Sequence, residues 1–213
     1  MSSERTAKNN FITLEFERQL WAGGKTFVAG VDEAGRGSLA GPVVAAAVIF
    51  QPECLIPAVN DSKLLAEGTR DILYAEIKNK AVAVGVGIVD HATIDEINIL
   101  KATYKAMHDA VTNLIITPDH LLIDGNRFCG GTIPFTTIVD GDALCFSIAA
   151  ASIVAKVTRD RLMADYDAKY PGYGFAKHKG YGTKEHREAI YQLGYCEIHR
   201  RSFQMNTQLE LEF

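Results

Sequence analysis

Short apolar runs and longer periodic stretches alternate along the chain, and each run ends on turn or acidic residues. Phe27–Val31 is a short apolar run that stops at Asp32-Glu33, and Val43–Phe50, almost wholly apolar, reads as a strand buried on both faces. Ala81–Val89 alternates Val with Ala or Gly and predicts a third strand, with a helix over Leu65–Lys78 before it. From about Thr93, Ile97, Leu100, Tyr104, Met107, Val111 and Leu114 recur at three-and-four spacing, predicting one long amphipathic helix with these residues as its buried stripe. Leu121–Ile123, halted by Asp124-Gly125-Asn126, and Thr136–Val139 give strands four and five. Ser147 to about Tyr170 reads as a helix whose Ala-rich start can lie close to a sheet, and Lys184–Leu193 as the last helix. The pattern predicts an α/β fold, a mixed five-stranded sheet covered by helices. Short links favour antiparallel pairing of the first three strands, and the long helix before the fourth favours a parallel crossover.

Composition narrows the class. The 213 residues are ample for a sizeable core. No apolar run is long enough to span a membrane, and no signal-peptide pattern opens the chain, so a cytoplasmic protein is expected. Cys54, Cys129, Cys145 and Cys196 are scattered without CxxC spacing and read as reduced thiols. The net charge of −4 argues against a polyanionic partner, but its distribution does not. Ile153 to Phe203 holds 10 Lys and Arg against 6 Asp and Glu, so the excess of acid lies elsewhere. Charge alone fits equally well a nucleic-acid grip and two differently decorated solvated faces.

Three acidic sites terminate apolar runs: Asp32-Glu33, Asp124 and Asp140-Gly141-Asp142. Carboxylates gathered at strand ends suit hard cations such as Mg²⁺ or Mn²⁺, and a two-metal arrangement would hydrolyse a phosphodiester. Singly, each acid can equally be a turn residue or a helix cap. Neighbouring strand residues point to opposite faces, so Glu33 is expected to join Asp32 only through a twist or break at Ala34-Gly35. Spacing alone supports a metal-dependent hydrolase acting on phosphates.

The segments Gly30-Val31-Asp32-Glu33-Ala34-Gly35-Arg36-Gly37, Asp61-Ser62-Lys63, Asp124-Gly125-Asn126, Gly141-Asp142, Ile148 to Asp160, His178-Lys179-Gly180-Tyr181-Gly182-Thr183 and His199-Arg200-Arg201-Ser202-Phe203 occur in order. Together they resemble the ribonuclease HII family over roughly Phe27 to Phe203. The resemblance implies an RNase H-like catalytic domain over residues 1–203, with a helical C-terminal extension over about 147–203 and a flexible tail over 204–213. It implies cutting of the RNA strand of RNA–DNA hybrids, and nicking 5′ of single ribonucleotides within duplex DNA to leave 3′-hydroxyl and 5′-phosphate ends. The four metal-binding acids fall on Asp32, Glu33, Asp124 and Asp142, with Asp140 a rival for the last role. The turn that recognises the ribose 2′-hydroxyl falls on Gly35, Arg36 and Gly37, and the tyrosine that stacks on the following sugar on Tyr181. Lys63, Lys156, Lys179 and Arg200 are candidate phosphate contacts; each can equally be a solvated surface charge. Ser38 stands where the family often has Pro, and Asp140 where it commonly has Lys.

The tail Gln208-Leu209-Glu210-Leu211-Glu212-Phe213 resembles short peptides that bind the bacterial sliding clamp, with Gln208, Leu209, Leu211 and Phe213 as anchors; a coil or strand on its own domain is the alternative. A monomer is expected. Two rivals stand beside this reading: a junction resolvase acting on DNA alone, and a repair factor that binds nucleic acid without catalysis.

Overall fold

A computed structural model describes residues 12–60, 62–63 and 65–203. Asp61 and the tail anchors Gln208, Leu209, Leu211 and Phe213 lie outside the described residues. Five strands form one sheet in the order β3-β2-β1-β4-β5: β1 (Val28–Ala34), β2 (Val43–Ile49), β3 (Ala83–Val89), β4 (His120–Asp124) and β5 (Phe135–Ile138). β1, β2 and β3 pair antiparallel, and β4 joins β1 in parallel, as the connection lengths predict. β5 pairs parallel to β4. Every residue of β2 is buried, in keeping with its unbroken apolar run.

One helix covers each face. α5 (Phe146–Lys169) lies under β1 and β2, and Gly30 lets it do so. A Cβ at Gly30 would stand 2.1 Å from the carbonyl carbon of Ser147. On the other face, Gly85 and Gly87 admit the backbone of α4 (Ile99–Thr112) in the same way, against the carbonyl oxygens of Ala110 and Ala106. Of the predicted stripe, Met107 and Leu114 are buried and Ile97, Tyr104 and Val111 pack against the core, but the helix is divided and its closest face is made of smaller residues. Asn98, at φ 71°, divides the expected long helix into α3 (His91–Ile97) and α4, and its side chain accepts from the Lys101 amide to cap the second piece. The buried face of α4 is Ala102, Ala106 and Ala110 with Thr103 and Met107, whereas Leu100 is exposed. Close approach to a glycine-bearing strand selects small residues over large ones, and alanine carries too little hydropathic signal to reveal that face beforehand.

β1 carries two of the acids. It runs past the apolar residues to Ala34, so Asp32 and Glu33 are paired strand residues opposite Ala46 and Ala45, and it ends at the Ala34-Gly35 step where a break is expected. Before it comes a helix the apolar pattern did not announce, α1 (Glu15–Ala22). Its Glu17 is buried and accepts from the Ser147 amide at 2.8 Å and the Cys145 thiol at 3.2 Å, capping the start of α5. Helix α2 (Glu67–Lys80) packs Leu73 and Ile77 into the core on the α5 side.

Past α5, the short helices α6 (Phe175–His178) and α7 (Lys184–Leu193) build a second small core with Ala40, Met163, Tyr173 and Ile198. Within it the Cys196 amide donates to His199 Nδ1 (2.9 Å), His199 Nε2 meets His186 Nε2 (3.1 Å), and His186 Nδ1 meets the Tyr181 carbonyl (3.0 Å). These partners assign one neutral tautomer to each ring: His186 donates from Nδ1, and His199 from Nε2. Among the described residues no helix is long and apolar enough to cross a membrane.

Candidate active site

The four predicted acids gather where β1 and β4, parallel neighbours, run out at the same side of the sheet. Asp32, on β1, is buried; its Oδ1 accepts from the Glu33 amide at 2.7 Å, and Ser152 of α5 bonds its side chain. Asp124 closes β4, and its Oδ1 accepts from the amides of Gly141 (2.8 Å) and Asp142 (3.4 Å). That contact folds the one-turn 3₁₀ helix Gly141–Ala143 onto the strand end and buries Asp142 beside Asp124. Asp140, left-handed at φ 55°, stays exposed, whereas Asp142 is buried beside Asp124. Glu33 lines a groove with Asp124, Asn126, Arg127 and the α4 residues Leu100 and Tyr104.

Burying like charges together is costly, and the acid strengths record it. Burial, then repulsion from Glu33 and Asp124, holds the Asp32 carboxyl well above the usual carboxylate range. Burial also raises Glu33, against the pull of Arg36, and burial followed by Asp142 raises Asp124. Two cations of the chain already sit on the cluster: Lys63 Nζ lies 2.7 Å from Asp142 Oδ2, and Arg36 Nη1 lies 3.2 Å from Glu33 Oε1. Among the described residues no three Asp, Glu, His or Cys side chains stand as a ready-made metal cage. The donor chemistry nevertheless fits a hard divalent ion: four carboxylates, three of them biased by burial and repulsion toward neutralisation by a bound proton or cation.

Beside the acids, the chain turns at Gly35-Arg36-Gly37. Gly35 has φ 96°, and a Cβ there would stand 2.0 Å from Arg159 Nε, so no other residue fits without displacing that guanidinium. The strand-like stretch after the turn is stitched to the C-terminal extension: Ser38 bridges Tyr181, Ala40 bridges His199, and the Leu39 amide donates to the Gly180 carbonyl at 2.8 Å. Tyr181 thereby sits next to the turn, its ring part-exposed and 5.5 Å from the Arg159 guanidinium carbon.

The basic candidates divide. Lys63 is 74% exposed at its side chain despite its ion pair. Lys156 is tied to Asp160 at 2.6 Å and Lys179 to Glu67 at 3.3 Å, and both side chains are mostly covered. Arg200 departs from the expected phosphate contact. It is 1% exposed and spends its guanidinium on backbone carbonyls: Nε on Gly41 (2.9 Å), Nη1 on Arg36 (2.9 Å) and Nη2 on Gly35 (2.7 Å). Arg159, in the densest motif but given no role, does the same for Pro42, Lys179 and Ala40. Ser152 is a further partner of the acids that spacing does not reveal, although a hydroxyl amid the apolar run of α5 marks a place where that helix meets something polar.

Comparison with known proteins agrees with this arrangement. The family model "Ribonuclease HII" matches residues 29–206. A ribonuclease HII of Bacillus anthracis is 54% identical over 197 residues, covering 92% of this chain and 76% of the relative. That of Syntrophus aciditrophicus is 54% identical over 192 residues, covering 90% and 91%. Among solved structures, ribonuclease H2 from Pyrococcus horikoshii superposes with TM-score 0.71 at 28% identity, over 84% of this chain and 94% of that one. The RNase HII in the PCNA complex from Archaeoglobus fulgidus shares the fold, with TM-score 0.75 at 24% identity over 88% and 100%. A sheet of this order, with these motifs in sequence from β1 to the C-terminal extension, places the chain in the ribonuclease HII family, the endoribonucleases of the ribonuclease H class that cut the RNA strand of RNA–DNA hybrids.

Proposed function

We propose that the protein nicks duplex DNA on the 5′ side of a single embedded ribonucleotide, as well as cutting longer hybrids, by water attack on the phosphodiester that leaves a 3′-hydroxyl and a 5′-phosphate. The observation that supports this reading is the juxtaposition of the acid cluster with the Gly35-Arg36-Gly37 turn and Tyr181, bridged through Ser38. Asp32, Glu33, Asp124 and Asp142 would hold Mg²⁺ or Mn²⁺, whose chemistry there is to activate a water and neutralise the leaving oxygen. For Asp142 and Glu33 to serve as ligands, Lys63 and Arg36 must let go of them, which frees two cations for the phosphate backbone. The backbone of the turn reads the 2′-hydroxyl, the group that distinguishes RNA from DNA, and Tyr181 lies against the next sugar. Lys63 is the most accessible phosphate contact of the set; Lys156 and Lys179 reach a duplex only in competition with Asp160 and Glu67.

The test is a duplex carrying one ribonucleotide, incubated with Mg²⁺ or Mn²⁺ beside an all-DNA control. A single nick 5′ of the ribonucleotide is expected in the first alone; cutting of long hybrids without this nick overturns the junction role of the turn and Tyr181. The protein acts as a cytoplasmic monomer in this reading, and Gln208, Leu209, Leu211 and Phe213 engage the sliding clamp. The Archaeoglobus fulgidus relative was solved with PCNA, which supports a clamp partner for the family's architecture. Equal clamp recovery by the full chain and a chain ending at Thr207 would remove that partner.

A further inference from the structure

Two arginines are fully buried behind the turn, Arg159 at 0% and Arg200 at 1% exposure. Both direct their hydrogen bonds to main-chain carbonyls, and the residues they hold are consecutive or nearly so: Gly35, Arg36 and Gly41 by Arg200, Ala40 and Pro42 by Arg159. Pulling a guanidinium out of water is expensive, so a pair placed here signals that the loop's conformation matters more than the cost.

The peptide plane says what that conformation is. No peptide bond described is cis, and in a trans unit the carbonyl and the following amide point in opposite directions. Arg200 draws the Gly35 and Arg36 carbonyls inward at 2.7 and 2.9 Å. The amides of Arg36 and Gly37 are therefore turned outward, on residues that are themselves exposed. Open space lies over Gly37, where an added Cβ would meet nothing within 4 Å. We infer that Arg200 is a positioning residue for sugar discrimination: by fixing two carbonyls from behind, it aims two adjacent amides at the acceptor lone pairs of a ribose 2′-oxygen. The inference rests on the proposed reading of the turn and deepens it. Lysine cannot replace the fork, because one ammonium cannot span three carbonyls in the plane that a guanidinium covers.

The experiment uses the full chain with Arg200→Lys and Arg200→Gln, and Arg18→Ala, a surface ion-pair residue, as control. Steady-state nicking of the single-ribonucleotide duplex gives KM and kcat per folded molecule. Competition binding gives the affinity ratio between that duplex and an all-DNA one. Arg200→Lys is expected to raise KM at least tenfold, to change kcat less, and to bring the affinity ratio toward one. Arg200→Gln should do so more strongly if it folds, and Arg18→Ala should do neither. If Arg200→Lys lowers the melting temperature while KM and the ratio stay as in the wild type, Arg200 is only a stabiliser and the inference is overturned. If the wild type itself shows no preference for the ribonucleotide duplex, the reading of the turn falls first and the inference with it.

Discussion

Two groups of buried charge lie on either side of Gly35-Arg36-Gly37, and they are built on opposite terms. On one side, carboxylates crowd together at the ends of β1 and β4, where burial and then repulsion raise Asp32 and Asp124 despite the amides they accept from, and side-chain cations sit on Glu33 and Asp142. On the other, Arg159 and Arg200 are more deeply buried, yet each guanidinium nitrogen rests on a backbone carbonyl. Burial, then Arg159, pushes the Arg200 pKa down to about 9, which leaves it cationic at neutral pH. The contrast separates chemistry from scaffold. Charge left wanting a counterion is available to a ligand, whereas charge saturated by the main chain holds the fold around that ligand.

The comparison breaks most visibly if the two groups respond alike to losing charge. Asp32→Asn should abolish cutting, by more than the roughly 100-fold typical of groups that merely support metal ligands. It should leave the melting temperature of the metal-free protein unchanged or higher, because a strained buried carboxylate is removed. A fall of several degrees in a thermal melt would show that the acid cluster is structural. Arg159→Ala should do the reverse to stability. It strands the Pro42, Ala40 and Lys179 carbonyls, each costing about 1–3 kcal/mol, so urea unfolding should register a loss of about 3 kcal/mol or more. A loss below about 1 kcal/mol would mean that water replaces the guanidinium without penalty. The smallest effect belongs to Lys63→Met. Its exposed ion pair with Asp142 is worth no more than about 1 kcal/mol, so titration with Mn²⁺ should show binding tightened by up to about fivefold. Weaker binding would show that Lys63 supports the site instead of competing for it.

What the sequence disclosed follows the same division. The acid sites were legible because each closes an apolar run, where carboxylates have little packing use, and connection lengths disclosed which strands pair antiparallel and that the fourth is reached by a parallel crossover. The two arginines were not, since nothing local distinguishes a guanidinium that bonds carbonyls 117 or 159 positions away from one on the surface. Arg200 was accordingly expected at the phosphates. The break at Asn98 was hidden for a related reason: a periodic pattern passes unchanged through a single left-handed residue, while the polypeptide does not. The small-residue face of α4 became visible only with Gly85 and Gly87 beneath it.

The chain of neutral rings in the C-terminal extension sets an acid limit on the molecule. His186 and His199 face each other through Nε2, and a proton added to His186 would oppose two N–H groups at 3.1 Å. Burial is the main cause that lowers both to about 4 from the usual 6.5. Between those values the unfolded chain binds more protons than the folded one, so stability falls as the medium is acidified from about 6.5 and the loss is complete below about 4. The chain ends on the Tyr181 carbonyl, and His199 directly precedes Arg200. Acid therefore weakens the extension that anchors Tyr181 and Arg200, and thermal melts should show stability falling as the medium is acidified from about 6.5 toward about 4.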